Sequence, residues 1–269
     1  INDAGIRAVW VPGLAAMALG ILIPLWTYQV LRKLGKFSVA DAGAVAAHYG
    51  SVSAVTFIAA TNFLKSIQEP YESYASAFLA VMDSPAIIVG VMLGKGAFGG
   101  KLSLVDAGIR HALKDTVFGR GVLLLIGSMI IGSVSGKSGM TMVEGFFVTP
   151  FQGVLALFLL EMGMVAGRRL GEVKKVGVFL LVFGITAPLI HGTLGALVGS
   201  WAGLSIGGTT LLGVLAASAS YIAAPAAVRL SLPEANPTYS LTAALAITFP
   251  FNISVGVPLF FQIAKHLHS

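Results

Sequence analysis

An all-α polytopic membrane fold containing an internal inverted repeat is what this sequence predicts, and composition, spacing and self-similarity together predict it. Hydrophobic residues make up 56% of the 269 positions and charged residues 10%, with a mean hydropathy of +0.89, far from a soluble domain. Apolar runs of about 20 residues, each able to span roughly 30 Å of hydrocarbon, alternate with short stretches that hold nearly all the Lys and Arg. A serine-rich motif then occurs twice at a fixed spacing. Runs of this length are helices, because barrel strands read as alternating segments of about 10 residues. The absence of Cys removes disulfides, thiolate catalysis and Cys-based metal sites. The net charge of +6 needs no nucleic acid to explain it, since cytoplasmic loops collect Lys and Arg.

Eight spans follow in order: Ala8 to Leu31, Val39 to Leu64, Tyr71 to Leu93, Val122 to Val134, Gly145 to Ala166, Val176 to Trp201, Gly208 to Leu230 and Tyr239 to Ala264. Between the third and fourth, Leu104, Val105, Ile109, Leu113, Val117 and Phe118 recur at helical spacing beside charged neighbours. That pattern predicts an amphipathic interfacial helix linking two halves. If the spans alternate in direction, one side of the membrane receives 13 of the 17 Lys and Arg residues. The other receives Arg7, Lys65, Lys137 and Lys265. This bias places the 13-charge side in the cytoplasm of an inner (plasma) membrane and both chain ends outside.

Set against itself at an offset of 167, the chain pairs Ser51 with Ser218, Ser53 with Ser220, Ala59 with Ala226 and Ala60 with Ala227. Without a gap it then pairs Pro70 with Pro237, Ser73 with Ser240 and Ala77 with Ala244. The second span thus corresponds to the seventh and the third to the eighth, and by the charge count these partners run in opposite directions. Inverted repeats of this kind are a transporter architecture. The second half holds five spans and the first only three, so two further helices are expected ahead of Ile1, giving five plus five. The expected organisation is residues 1–94 as the end of the first repeat, with one gate-side or linking helix and core helices. Residues 95–121 are the amphipathic linker, 122–175 the gate helices of the second repeat and 176–269 its core helices.

The repeated motifs, HYGSVSA at His48 to Ala54 and AASASYIAAP at Ala216 to Pro225, fall near the middle of their spans. In hydrocarbon a freed backbone N–H or C=O costs several kcal/mol unless something satisfies it, so a break is tolerated where it lines a cavity or meets another break. Each break exposes a half-helix N-terminus with about half a positive charge and free N–H groups. Two such ends converging at the midplane hold a small anion without an Arg. Ser51, Ser53, Thr56, Ser218 and Ser220 add hydroxyls, and the opposed half-helix C-termini and hydroxyl oxygens can coordinate Na⁺. The bland alternative is that Gly and Ser merely let helices pack closely, which does not require the same register in both halves.

GSVSAVTF at Gly50 to Phe57, AVMDSPAI at Ala80 to Ile87 and AASASYIAAPAAVRLSLPEANP at Ala216 to Pro237 resemble the sodium-dependent bicarbonate transporter family, over nearly the whole chain. The resemblance implies a core domain moving against a gate domain, a homotrimer, Na⁺-coupled uptake of bicarbonate and a PII-like cytoplasmic regulator. On the matching motifs it implies substrate contacts at Gly50, Ser51, Val52, Ser53, Ser218, Ala219, Ser220 and Tyr221. Sodium ligands are expected at Ser53, Thr56, Asp83 and Ser220, with no organic cofactor and no other metal. The cyanobacterial members carry Gly-x-Val-Ser-Gly-Ser-Thr where this chain has Gly50, Ser51, Val52, Ser53, Ala54, Val55 and Thr56. They also carry an acidic residue where Tyr221 stands and Ser-Gly at Ala223 and Ala224, so a cation site here is built more from hydroxyls and carbonyls.

Intramembrane acids are functional suspects. Asp83 adjoins Pro85, whose missing N–H frees a carbonyl one turn earlier; it reads as a cation ligand, an orienter of the crossover or a structural hydrogen-bond partner. Glu161 reads as a gate or interprotomer contact. His48 and His191 read as core histidines, with a relay or ligand role as the alternative. Arg168, Arg169, Lys174 and Lys175 set topology, with a regulator's docking surface as a second reading. The rival functions are a sodium- or proton-coupled organic-anion carrier on a similar fold, an intramembrane hydrolase using Ser51 or Ser53 with His48, and a passive receptor subunit. The Gly-x-Ser-x-Gly at Gly203 to Gly207 holds neither Ser51 nor Ser53, and no His-Glu-x-x-His occurs, so no motif supports the hydrolase, and a passive subunit leaves the paired breaks unexplained.

Overall fold

Serine caps and paired breaks divide the apolar chain into helices. The computed structural model describes residues 6–96 and 120–269, so most of the amphipathic linker expected over 95–121 lies outside the described residues. The helices are α1 (Ile6–Lys33), α2 (Val39–Gly50), α3 (Ala54–Ser66), α4 (Ala77–Gly94), α5 (Arg120–Phe147), α6 (Phe151–Arg169), α7 (Val173–Trp201), α8 (Ile206–Ala217), α9 (Ala223–Ser231) and α10 (Pro237–Leu267). Among the described residues, six segments are long and apolar enough to cross a membrane, with α2 and α3 counted as one. The protein is therefore an all-α, multi-pass membrane protein.

The repeat is explicit in the capping. Ser38 begins α2 by accepting the Asp41 N–H (3.0 Å), and Ser205 begins α8 by accepting the Gly208 N–H (3.1 Å). Ser51 and Ser218 end these helices in extended conformation, at φ −78°, ψ 154° and φ −79°, ψ 162°. Both helices are 12 residues long, and start, end and caps all match at the offset of 167. A side-chain cap removes one orphan donor at each helix start. The extended residues after α2 and α8 end the ladder without a Pro.

Contacts at the two ends of the bundle establish the inversion. On one face the first turn of α2 meets both the end of α4 and the start of α10. There a Cβ on Gly43 would lie 2.2 Å from Gly94 Cα, and Asp41 accepts the Asn236 N–H (2.7 Å). On the opposite face Glu72, ahead of α4, accepts the Ser205 N–H (2.6 Å) and hydroxyl (3.1 Å) at the start of α8. His268, just beyond α10, bonds Thr209 of α8 there (3.1 Å). α2 and α8 thus enter from opposite faces, and α4 and α10 run in opposite senses. Gly90, whose Cβ would lie 2.5 Å from Ala47 backbone, lets α2 and α4 touch main chain to main chain, the small-residue packing that replaces the hydrophobic drive in lipid.

The sequence boundaries fail mainly at the fourth and fifth spans. Val122 to Val134 belongs to a longer α5 that continues to Phe147, bent at Gly136 (φ 60°, ψ −160°), a conformation that suits glycine. Gly145, Phe146 and Phe147, assigned to the fifth span, therefore close α5. The chain then turns through Val148–Pro150, where the proline disfavours helix in its predecessor, and α6 starts at Phe151. The third span begins at Ala77 rather than Tyr71, since Pro70 to Ser76 form the connection that carries Glu72.

Candidate functional site

The two interruptions meet directly. Ser220 N–H donates to the His48 carbonyl (2.8 Å), and Ser53 N–H donates to Ser218 Oγ (2.9 Å). Each break thereby satisfies polar backbone that the other has freed, as the apolar setting demands. Ser51, Ser53, Ser218 and Ser220 are all buried, as are Thr56, Val52 and Ala219. Gly50 packs against Pro24 of α1, where a Cβ would lie 2.6 Å from the ring.

At the start of α3, Ser53 Oγ accepts the Thr56 N–H (3.2 Å). At the start of α9, Ser220 Oγ accepts the N–H groups of Ala223 and Ala224 (both 3.3 Å). Ser53 is the N-cap of α3, whereas Ser220 lies two residues ahead of the α9 N-cap Ile222 and accepts from there, so both hydroxyl oxygens serve a helix start without being equivalent caps. Ser218 is used differently, donating its hydroxyl to the Leu215 carbonyl (2.8 Å) while accepting from Ser53. Two half-helix N-termini and their capping hydroxyls thus lie at one crossover, the backbone arrangement that favours negative charge.

Asp83 of α4 accepts the Ser51 hydroxyl, and its carboxylate also meets the Val52 N–H. It is half-buried, and it orients the first break while placing a carboxylate beside it. Within the expected sodium set, Ser53 and Thr56 are joined by their cap, Ser220 stands at the second cap, and Asp83 has Ser51 and Val52 as its described partners. Tyr221 lies in the second break with its ring edge-on to Phe249 (5.4 Å, 71°).

α10 supplies what the sequence reading missed. Asn252 is buried, and its Nδ2 donates to the Ala217 carbonyl (2.8 Å), the last residue of α8. That acceptor-only partner fixes the amide orientation, so Oδ1 faces away, buried and without a partner. One turn earlier, Thr248 accepts the Tyr49 hydroxyl (2.7 Å) and donates to the Gly184 carbonyl (2.7 Å). Both residues lie in π-helical stretches, Thr242–Thr248 and Asn252–Gly256, a geometry frequent at functional sites. α10 therefore grips the C-terminal ends of both broken helices. The available signal was an amide two residues beyond Pro250 in an apolar span, near the register position of Asp83 in the other repeat.

The side chains of the remaining candidates stand apart from this pairing. His48 donates Nδ1–H to the Ala44 carbonyl (2.7 Å), leaving Nε2 buried and bare. His191 accepts the Trp26 indole N–H (2.8 Å), bridging α7 and α1. Glu161 is exposed on α6. No individually curated protein matches the chain. A family model of the Na+-dependent bicarbonate transporter superfamily matches residues 1–265, and the chain belongs to that superfamily.

Proposed function

We propose that this protein is a sodium-coupled symporter that imports bicarbonate by alternating access, with the anion held where the two breaks cross. The observation that carries this reading is the mutual hydrogen bonding of the breaks, which brings the N-termini of α3 and α9 and their capping serines to one buried locus. Gly50, Ser51, Val52 and Ser53 approach the anion from one repeat, and Ser218, Ala219, Ser220 and Tyr221 from the other. Its charge is met by helix-end dipoles and hydroxyl donors rather than by a cation side chain. Sodium sits beside it on Ser53, Thr56, Ser220 and the Asp83 carboxylate, the hard oxygen donors this ion prefers. With both ions in place the net charge of the site is small, which lowers the cost of carrying them through a low-dielectric interior.

In this reading the core comprises α2–α4 and α7–α10 and moves against a gate that contains α5 and α6, with α1 as a gate-side or linking helix. The 13-charge side is cytoplasmic, the membrane is the inner membrane, the assembly is a homotrimer, and a PII-like regulator docks on the basic loops. The test is uptake of labelled bicarbonate by the full-length protein in vesicles. An inward sodium gradient drives accumulation, and replacing sodium by potassium abolishes it. Uptake that ignores sodium and follows a proton gradient, or that is blocked by organic anions, assigns the protein to an organic-anion or proton-coupled class instead.

A further inference from the structure

The Tyr221 hydroxyl is buried and has no hydrogen-bond partner. The Ser53 side chain lies within its reach across the crossover. A buried hydroxyl without a partner is costly and points to something that completes it when bound. The ring is held independently, edge-on to Phe249 of α10 and packed on the cluster of Val55, Leu245, Phe249 and Ala166, to which Phe158 and Met162 of α6 also belong. It also packs on the cluster around Tyr49 and Ala219. Tyr221 therefore sits between the crossover and α6, with its polar atom inward and its ring against the boundary.

We infer that Tyr221 is the neutral donor that a bound oxyanion completes, and that this contact sets the affinity of the site for its anion. Ser53 and Ser220 already accept helix N–H groups, so each offers a single hydrogen to an anion. A phenol adds one more donor without adding charge. Being neutral it does not repel the anion, and its rigid ring holds the O–H in place at little entropic cost while shielding the site from the α6 side. This deepening rests on the transporter reading above.

Tyr221→Phe keeps the ring and its contact with Phe249 and removes only the O–H. The expected result is a KM for bicarbonate raised roughly tenfold or more, the loss of one hydrogen bond to a charged group. The maximal rate should stay within about twofold, with an unchanged thermal midpoint. A Phe variant with wild-type KM overturns the inference, as does one whose maximal rate falls at constant KM. Thermal shifts of the solubilised full-length protein with bicarbonate, nitrate and formate separate this idea from the choice of substrate. If another oxyanion stabilises the wild type and bicarbonate does not, the substrate assignment fails. Equal shifts in wild type and Y221F, for whichever oxyanion binds, remove Tyr221 from the site. Absence of a shift with all three overturns both.

Discussion

Ser53 and Ser220 show how one atom serves two needs. Each hydroxyl oxygen accepts N–H groups at a half-helix start in the middle of the protein, and in the proposed site its hydrogen is the one offered to the anion. Losing such a cap costs about 1 kcal/mol, small beside a stability of about 5–15 kcal/mol, so a substitution here removes the site before it removes the fold. Ser53→Leu or Ser220→Leu should abolish uptake while circular dichroism still reports a folded helical protein, with a thermal midpoint lowered by overpacking of the buried site; unchanged transport in both variants would place the anion elsewhere. These serines were legible in the sequence because a weak helix former repeated in register within two apolar spans has few structural reasons to exist. Asp83 was legible as an intramembrane acid, although its role as the acceptor for Ser51 and Val52 emerges only from the fold. Asn252 was not legible. An uncharged amide among Phe251, Ile253 and Val255 looks like an isolated polar residue until α8 is seen to end against it.

At the scale of elements, a broken helix must be held at its cut ends, and α10 does this for both. Thr248 receives the Tyr49 hydroxyl at the end of α2, and Asn252 binds the last carbonyl of α8. The π-helical stretches set these two side chains, which a regular helix would space differently along its face. Asn252→Ala leaves the Ala217 carbonyl buried without its donor, at a cost of about 1–3 kcal/mol, so its thermal midpoint should fall measurably. Asn252→Asp should fall further, because a carboxylate would face a carbonyl oxygen in a site where neither is solvated. An Asp variant as stable as wild type even at alkaline pH, where the acid cannot keep a proton to donate, would show that the Asn252 amide does not act as the donor to Ala217. The repeat made the breaks after α2 and α8 readable, since Ser51 and Ser218 match in register, whereas the starting caps Ser38 and Ser205 emerge only in the fold. α5 and α6 were not readable in the same way: uniform hydropathy from Val122 onward has no period to mark an end, and the bend at Gly136 and the turn before Phe151 arise from backbone preference rather than composition.

For the whole molecule, burial separates what is fixed from what can slide. The most apolar stretch of the α2–α3 pair is 83% buried, against 11% for α6. The two repeats are latched at opposite faces by Asp41 on Asn236 and by Glu72 on Ser205, which ties the broken helices and their partners into one body. α6 meets that body through an apolar patch in which Ala166 faces Val55, Leu245 and Phe249. The patch is apolar, and the polar link from α6 to α3, Gln152 Nε2 donating to Asn62 Oδ1 (3.2 Å), is exposed rather than buried. Among the described residues, sliding at this surface parts apolar contacts and an exposed hydrogen bond, which suits the movement proposed for alternating access. Because the chain contains no Cys, thiols introduced as Ala166→Cys and Leu245→Cys can be bridged selectively by a short, reducible bifunctional reagent. The bridged protein should lose uptake yet still bind sodium and the anion, and reduction of the bridge should restore transport. Full uptake with the bridge intact would show that α6 travels with the broken helices, and the sliding surface would then lie on another side of the core.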